Sequence, residues 1–411
     1  MELKTKYQYT YFLHPFMVKE NRYLKYILKL LKNPNCKLKI FQKEKDIGVY
    51  TYFVPKIRNY MFSTFTFNKA KIKKFEELSI DTKAAVLAKM PCVMFEYSFP
   101  KDIQGKLEEK EGIFFTIQKM EIICFNTGIC FLNIKTNIEN STKFSDVLNF
   151  NYKFRSIAVE EDLNSYDNIR IQTDIFDDVK SLKSFINGIT GPNQLEIKNI
   201  DIDTERFLTY SYACIEQENW NKEEDFNNIK SMYTKYMKIL PNDNNTLFNS
   251  DESKIMSNWN YAKLGITKAG TTLFTSSAEI NNYTVLPHEY ENEYLYTYIL
   301  SLYMRIYIKL INLELKQGTN IKVARKKFID FTKNLWIQEA TIDDIGTLYY
   351  HNLRKVLELD NLYLETKNEY DVLYKEMNIE KNTKANRTII LILVISLILS
   401  VLNFMALTGK I

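Results

Sequence analysis

The sequence predicts an α+β fold: a cytosolic α/β domain with an antiparallel-rich sheet, a helical layer, and a long stalk helix that continues into one transmembrane helix. Three observations lead to this prediction. Apolar runs separated by turn residues fill the first two thirds of the chain, helical spacing follows Pro287, and an uncharged apolar run lies near the C-terminal end. We therefore expect a cytosolic domain over 1–285, a helical hairpin packing on the domain and the stalk over 286–340, the stalk helix over 341–387, and the transmembrane helix over 388–408.

Length and composition allow this organisation. The 411 residues suffice for one large or two medium soluble domains besides the membrane helix, and a hydrophobic content of 45% suffices for packed cores. The net charge of +5 suits a protein near an anionic inner leaflet and does not require a nucleic-acid polymer as partner. The five cysteines are odd in number, widely spaced and without a CxxC pair, so we expect buried, reduced thiols in the cytosol.

The first 90 residues predict two helices with β structure between them. Residues 19–32 place their apolar side chains on one helical face, and Pro34 ends this helix. The apolar residues 38–41 predict a strand, and GVYTYFV over 48–54 predicts a further β-rich run. A second helix is expected near 71–89, where apolar positions alternate with charged ones at helical spacing.

The clearest β signal covers residues 112–138. Its three apolar runs are separated by Gln118-Lys119 and by Asn126-Thr127-Gly128, and Gly128 can take the positive φ of a tight hairpin turn. A helix opened by a Ser or Thr cap is expected over 142–157, and a strand over 207–215.

Three further segments carry turn or break signals. The polar residues 160–200 are expected to lie on the surface or to mark a break, and the Asn- and Asp-rich run 241–253 predicts a loop. A second hairpin is expected around Lys268-Ala269-Gly270.

Residues 294–315 predict an apolar helix that is not a second membrane span. Arg305 and Lys309 lie near its middle, where charges are costly in lipid. We therefore expect a buried or inter-subunit helix of the soluble part.

One long final helix is expected from Thr341 to Leu407. Thr341 and Asp344 resemble a capping box, and no proline or glycine interrupts residues 347–408. Apolar residues that recur every seven positions predict a partner helix, from the same chain or from symmetric copies: Tyr349, Val356, Tyr363, Tyr370 and Met377.

The run IILILVISLILSVLNFMAL over residues 389–407 contains no charge and no proline. About 20 consecutive apolar residues span a hydrocarbon core, where only a helix satisfies every backbone polar group internally. Lys381, Lys384 and Arg387 precede the run and are candidate contacts for lipid headgroups or another anionic ligand. The positive-inside rule then places the preceding residues in the cytoplasm and the C-terminus outside. No apolar signal-peptide core is found in the first twenty residues.

Ser396, Ser400 and Asn403 form a polar stripe on this helix, because they are spaced at i, i+4 and i+7. Polar groups facing lipid are costly, so the stripe is expected to face other helices or water. Two interpretations stay open: helix–helix contact with serine bonding back to its own backbone, or a water-filled pore lined by copies of this face.

Catalytic signals are few, and we expect no enzyme activity. The three histidines, His14, His288 and His351, have no cysteine or carboxylate at metal-ligand spacing, so each is expected to be a structural or surface residue. Weak binding of a divalent cation at a subunit interface stays open for the acidic residues Asp343-Asp344 and Glu108-Glu109 with Glu111. Residues 265–272 have the glycine spacing of a phosphate-binding loop, but they lack the lysine after the second glycine and lie in a hairpin context. The basic cluster 69–74 is interpreted as a solvated helix face, with an anionic lipid or nucleotide contact as the alternative.

The order of these features resembles the CorA-type divalent-cation channels. The resemblance is strongest over residues 286–385, in LPHEYENEYLYTYILSLYMRIYIKL and FTKNLWIQEATIDDIGTLYYHNLRKVLELDNLY, and extends to ICFNTGICFLNIKT and FSDVLNFNYKFR. That family has two spans joined by a loop that begins Gly-Met-Asn, whereas this chain has one predicted span and no such triplet. Asn403 lies near the outer end of the span that remains.

The resemblance implies a homo-oligomeric funnel, expected to be a pentamer, in a bacterial inner membrane. It implies an ion channel or ligand-gated membrane effector, with an antiviral role and a nucleotide ligand at the cytosolic domain as one version. Mg²⁺ or another divalent cation would be the ion concerned, although the missing triplet leaves magnesium selectivity unassigned. The alternatives are a tail-anchored scaffold without a pore and, less favoured, a membrane-tethered enzyme.

Overall fold

The computed structural model describes residues 2–98, 103–107, 112–156, 169–172, 180–191, 195, 198, 200, 202–216, 226–243, 253–318 and 320–407. Most of the segments 160–200 and 241–253, for which we predicted a surface segment and a loop, lie outside these residues. The chain divides into two compact units. Unit 1 comprises Met1–Tyr307 and Phe331–Leu359, and unit 2 comprises Ile308–Asp330 and Asp360–Ile411.

The fold is α+β, with one mixed sheet in unit 1. Within the described residues the strands are β1 (Thr5–Met17), β2 (Cys36–Leu38), β3 (Cys92–Tyr97), β4 (Ile103–Leu107), β5 (Ile113–Phe125), β6 (Ile129–Ile138), β7 (Ile169–Gln172), β8 (Lys180–Ser181), β9 (Leu208–Ile215), β10 (Lys254–Met256), β11 (Ala262–Thr267) and β12 (Gly270–Ser276). Their order is β10-β11-β12-β9-β1-β6-β5-β4-β7-β8, and β3 pairs with both β5 and β2. The pairing of β9 with β12 is parallel, and the other pairings are antiparallel. The predicted antiparallel-rich sheet is therefore confirmed.

The described helices are α1 (Glu20–Lys32), α2 (Ile47–Tyr52), α3 (Pro55–Met61), α4 (Lys69–Glu76), α5 (Ile80–Leu87), α6 (Phe144–Arg155), α7 (Leu182–Thr190), α8 (Lys230–Lys238), α9 (Asn281–Thr284), α10 (Leu286–Glu289), α11 (Leu295–Lys316), α12 (Ile321–Asn334), α13 (Asp344–Val356) and α14 (Leu359–Leu407). A π-helical turn, Tyr290–Tyr294, joins α10 to α11. Such π-helical turns are rare in proteins, and those that do occur often lie at functional sites.

The two faces of the sheet differ in character. One face is apolar and packs with α1 and α4–α8 in a single buried core that includes Phe12, Ile122 and Leu132. Because side chains alternate along a strand, the neighbouring residues point to the other face. That second face carries tyrosines and charged groups, which meet the turn 290–294 and the start of α11.

The strongest local predictions are confirmed. Helix α1 buries Tyr23, Tyr26, Ile27 and Leu30, as its spacing predicted. Strands β5 and β6 form the expected hairpin, where Gly128 has a φ of +87°, and a Cβ there would lie 2.3 Å from the carbonyl oxygen of Val18. Helix α6, strand β9 and the hairpin β11–β12 are also as expected.

Two details of this region were predicted wrongly. The pair Gln118-Lys119 does not separate two runs, because β5 continues through it with a register shift against β6 between Ile117 and Lys119. Helix α6 has no Ser or Thr cap: its N-cap is Lys143, without a side-chain cap bond. Ser141 lies two residues before this N-cap. Its hydroxyl accepts a hydrogen bond from Lys143 N and donates one to the carboxylate of Asp146.

The β-rich run predicted over 48–54 is wrong, because these residues form α2. Val49 and Tyr52 are buried at helical spacing, and Pro55 begins the next helix. The predicted strand over 38–41 is shorter and earlier, as β2 ends at Leu38. The single helix predicted near 71–89 is two helices, the second capped by the Ser79 hydroxyl, which accepts from Thr82 N.

The predicted final helix is also divided. Helix α13 ends at Val356 and α14 begins at Leu359, with Glu358 between them at a φ of +56°. A non-glycine residue in this left-handed region is uncommon, and no glycine or proline marks the break in the sequence. The N-cap is Asp343, whose carboxylate accepts from Gly346 N at 2.6 Å, so the predicted Thr341–Asp344 capping box is wrong.

In unit 2 the C-terminal part of the seven-residue row has a partner in the same chain. Phe328 of α12 lies 5.6 Å from the ring centroid of Tyr363 and 5.1 Å from that of Tyr370. The guanidinium of Arg325 lies over Tyr370, and its Nη1 reaches the sulfur of Met377. For these residues the partner helix comes from the same chain, which is one of the two sources that we expected.

Candidate functional site

The apolar end of α14 is the most unusual surface among the described residues. Its side chains from Ile389 onward are largely exposed, with Leu397 at 66% and Phe404 at 67%. Exposed apolar area of this extent is not stable in water, and marks contact with a membrane or a partner. Within the described residues, this is the one helix that is long and apolar enough to cross a membrane.

The predicted polar stripe lies on this helix. Ser396, Ser400 and Asn403 are all exposed. The Ser400 hydroxyl donates to the carbonyl oxygen of Ser396 at 2.8 Å, so this hydroxyl is satisfied within its own helix. A serine that bonds back in this way can lie in an apolar environment at lower cost than a free hydroxyl.

The three predicted basic contacts also lie on α14. Lys381, Lys384 and Arg387 are exposed and occupy the two turns before Ile389. Long basic side chains at the end of an apolar helix can extend into the headgroup region while their stems cover apolar surface.

A second candidate site lies on the polar face of the sheet in unit 1, and its centre is Glu121. This residue is 0% exposed and lies on β5. Its Oε1 accepts from Lys39 Nζ at 2.7 Å and lies 3.2 Å from Lys119 Nζ. The Tyr296 hydroxyl donates to the same oxygen at 3.3 Å. Burial alone would raise the pKa of Glu121, but Lys39 and Lys119 lower it to about 2, so the carboxylate is ionised.

A second ion pair continues this layer toward β1. Lys135 Nζ donates to Glu291 Oε2 at 2.7 Å, and the Tyr11 hydroxyl donates to Glu291 Oε1 at 2.6 Å. Burial alone would raise the pKa of Glu291, but Lys135 and Tyr11 hold it below its usual range. The Lys135 ammonium also lies 4.6 Å from the ring centroid of Tyr9, in a cation–π contact. We call Lys39, Lys119, Glu121, Lys135 and Glu291 the ionic layer.

Tyrosine hydroxyls extend the same polar face toward β9. The Tyr9 hydroxyl donates to the carbonyl oxygen of Pro287 at 2.8 Å, and the Tyr210 hydroxyl donates to that of Tyr290 at 2.5 Å. The helical segment over the sheet is thus held by directed hydrogen bonds as well as by apolar packing. Such bonds fix one register between sheet and helix.

Sequence reasoning missed the ionic layer. The signal was present in β5, where Lys119 and Glu121 stand two positions apart inside an apolar run, a period typical of one face of a strand. The sequence pattern instead predicts a turn at Lys119. The partners Lys39 and Glu291 come from distant parts of the sequence, and no local pattern connects them.

A group of carboxylates lies at the π-helical turn. Burial, together with the neighbouring Glu289 and Asp343, raises the pKa of Glu293 to about 7. Burial and Asp343 also raise the pKa of Glu289. Within the described part of the chain, no group of three or more His, Cys, Asp or Glu side chains is arranged to hold a metal ion. The divalent cation implied by the resemblance therefore stays a prediction without a ligand set.

The cysteines and histidines lie where structural or surface residues are expected. All five cysteines are buried free thiols, as predicted. Burial raises the pKa of Cys36 to about 12 and of Cys214 to about 11, which makes them poor nucleophiles. His14 is buried against Phe16 and Phe207, whereas His288 and His351 lie near or at the surface. Residues 265–272 lie in the β11–β12 hairpin, the context that we predicted.

No protein-family model, curated protein or solved structure matches this chain.

Proposed function

We propose that this protein is anchored in a membrane through residues 389–407 of α14 and that it acts there as a homo-oligomer. The observation that carries the proposal is the exposure of nearly every large apolar side chain in this stretch. A core helix of a soluble domain would bury one face. In this helix, none of the residues in the most apolar stretch is buried. A bilayer would cover that surface and remove the cost of its exposure to water.

The charge pattern supports one orientation. Lys381, Lys384 and Arg387 precede the apolar run, whereas Lys410 follows it. Basic residues are retained on the cytoplasmic side, so unit 1 lies in the cytoplasm of the proposed protein. We further propose a bacterial inner membrane as its location, in line with the resemblance noted above.

In this proposal the function is that of a CorA-like channel or ligand-gated effector, expected to be pentameric. Ser396, Ser400 and Asn403 would line the path between the copies of α14. Their stripe supports this arrangement, because a polar face in a membrane helix is stable only against other helices or water. In the same proposal, a nucleotide is the ligand of the cytosolic domain, and Mg²⁺ or another divalent cation is the ion concerned.

A second candidate function is a tail-anchored scaffold without a pore. Two observations favour it. The Ser400 hydroxyl is already satisfied by Ser396 O, and the row Tyr363, Tyr370 and Met377 already packs on α12 of the same chain. Neither feature then requires a second copy.

The mass of the detergent-purified full chain, compared with that of a chain ending at Lys384, tests the assembly. A discrete oligomer that weakens without the apolar run supports the oligomeric proposal. A monomer in both forms rejects the pore and leaves the scaffold.

Single-channel conductance of the full chain in planar bilayers tests the pore directly. Asn403→Leu should change conductance, because it removes the polar group nearest the proposed outer end. The matched control Leu402→Ile keeps the apolar character of its neighbour and should have no effect. Equal currents from wild type and Asn403→Leu would contradict a pore lined by this stripe.

A further inference from the structure

The outer face of helix α1 is basic along its length. The inner face of this helix buries Tyr23, Tyr26, Ile27 and Leu30 in the core of unit 1. The outer face carries four exposed basic residues at the spacing i, i+3, i+7 and i+10, which is the spacing of one helical face: Arg22, Lys25, Lys29 and Lys32. At about 1.5 Å per residue, this row is about 15 Å long.

Helices α4 and α5 belong to the same layer as α1. Helix α5 packs against α1. Lys83 Nζ of α5 donates to the carbonyl oxygen of Glu76, at the end of α4, at 2.8 Å. Phe75 of α4 and Leu87 of α5 lie in the same buried core as the inner face of α1. The exposed side of α4 adds further positive charges: Lys71, Lys73 and Lys74. We call the exposed side chains of α1, α4 and α5 the basic surface.

The positive charge of the chain is concentrated in these helices. Segments 19–32 and 69–89 together contain eleven Lys and Arg residues against four Asp and Glu residues, an excess of seven positive charges. The whole chain has a net charge of +5, so the rest of the sequence is negative overall. A basic region concentrated in this way attracts an anionic partner, which the same charge spread over the molecule would not do.

The composition of the basic surface favours a lipid bilayer over a nucleic acid. Ten of the eleven basic residues are lysines. A lysine ammonium group is a point charge, whereas paired recognition of single phosphates is a property of arginine. Two exposed aliphatic side chains lie among the lysines, Leu24 at 47% and Ile80 at 44%. Single-stranded nucleic acids stack on exposed aromatic rings, but the rings of Tyr23, Tyr26 and Phe75 are buried.

We propose that the basic surface binds an anionic lipid bilayer. Its lysines lie against the phosphate headgroups, and Leu24 and Ile80 enter the boundary between headgroups and acyl chains. The inference rests on the proposed function in one respect, because membrane anchoring brings the chain to such a bilayer. The binding itself is a property of unit 1.

Flotation of the full chain with lipid vesicles tests the proposal. The chain is inserted into nanodiscs of neutral phosphatidylcholine and mixed with separate vesicles that contain equal amounts of phosphatidylcholine and phosphatidylglycerol. We expect the nanodiscs to float with these anionic vesicles and not with vesicles of phosphatidylcholine alone. Salt at about 1 M should release them, because the Debye length is then about 3 Å. Insertion into the nanodiscs tests the anchoring separately, so the two proposals can fail independently.

Two neutralised lysines identify the surface. Lys25→Gln combined with Lys29→Gln should weaken vesicle binding about 25-fold, because each basic residue near an anionic bilayer contributes about a factor of five. The matched control combines Lys254→Gln with Lys355→Gln. It removes the same charge from exposed positions on β10 and α13, and should leave vesicle binding nearly unchanged.

A fluorescent label shows whether the apolar side chains reach the lipid. All five native cysteines are buried, so Leu24→Cys can be labelled selectively with an environment-sensitive dye. The emission should shift to the blue when anionic vesicles are added. The same dye at Ile255→Cys, an exposed position on β10, should show no shift.

Three results would overturn the proposal. One is equal flotation with anionic and neutral vesicles. Another is equal affinity of the Lys25→Gln, Lys29→Gln chain and its control. The third is displacement of the vesicles by duplex DNA at a lower phosphate concentration than that of the lipid, which would assign the basic surface to a nucleic acid.

Discussion

Lys39 Nζ lies 2.7 Å from Glu121 Oε1 and 2.9 Å from the Tyr296 hydroxyl, and donates to both. Three segments that are distant in sequence meet at this one ammonium group: the chain after β2, the middle of β5, and the start of α11. Burial alone would lower the pKa of Lys39, but Tyr296 and Glu121 raise it. Both ions are therefore charged throughout the physiological range, and each depends on the other.

Removal of either charge should destabilise unit 1. Lys39→Met leaves the carboxylate of Glu121, whose side chain is 1% exposed, without its nearest counter-charge. We expect a loss of about 3 kcal/mol in the free energy of unfolding, typical of a buried ion pair that loses one partner. Urea unfolding followed by fluorescence measures it, with the exposed Lys45→Met as control. A loss below about 0.5 kcal/mol would show that Lys119 alone suffices.

Acid should destabilise the fold through His14. Burial lowers the pKa of this side chain to about 4, so the unfolded chain takes up a proton between about pH 6.5 and pH 4 and the folded chain does not. The stability contributed by neutral His14 is fully present above about pH 6.5 and is lost as the pH falls toward 4. In thermal unfolding across this range, His14→Gln should flatten the decline in Tm. An unchanged slope would assign the decline to other groups.

Glu293 should produce the opposite dependence at higher pH. Burial, Glu289 and Asp343 raise its pKa to about 7 in the folded chain. The unfolded chain therefore releases this proton above about pH 4.5, whereas the folded chain holds it up to about pH 7. Stability from this group is therefore present below pH 4.5 and lost as the pH rises through 7. Glu293→Gln should raise Tm at pH 8 more than at pH 5, whereas the exposed Glu339→Gln should change neither. Equal shifts at both pH values would contradict a titrating Glu293.

A charge in the middle of the apolar run should impair membrane anchoring. Ile398→Arg places a guanidinium near the proposed bilayer centre, at a cost of about 3 kcal/mol. We expect a smaller carbonate-resistant membrane fraction than for wild type, and Asn386→Arg, before the run, should behave like wild type. If Ile398→Arg is retained in full, the run does not cross the bilayer as a single helix.

The elements predicted correctly are those whose signal is local. Helix α1 and the β5–β6 hairpin depend on apolar spacing and on one glycine with a positive φ, which are visible in a few residues. Segment 48–54 misled us because aromatic and β-branched residues favour strands, yet Val49 and Tyr52 are buried on a helix. The break at Glu358 has no glycine or proline signal, so only the surrounding packing can set it.

The candidate sites differ in the same way. The apolar run and its basic flank were predicted because a membrane helix is a property of one continuous segment. The ionic layer was missed, because Lys39 and Glu121 come from separate elements that only the folded chain brings together.

The central position of β1 has a consequence for the order of folding. Thr10 pairs with Thr136 of β6 on one side and with Ser211 of β9 on the other. During synthesis β1 is therefore made long before its second neighbour, and β9 in turn needs the later β12 for its parallel partner. Contacts so distant along the chain close slowly, and the open edges of such intermediates are prone to aggregate. The nascent sheet therefore keeps an unpaired edge at β9 until β12, which ends at Ser276, has been translated.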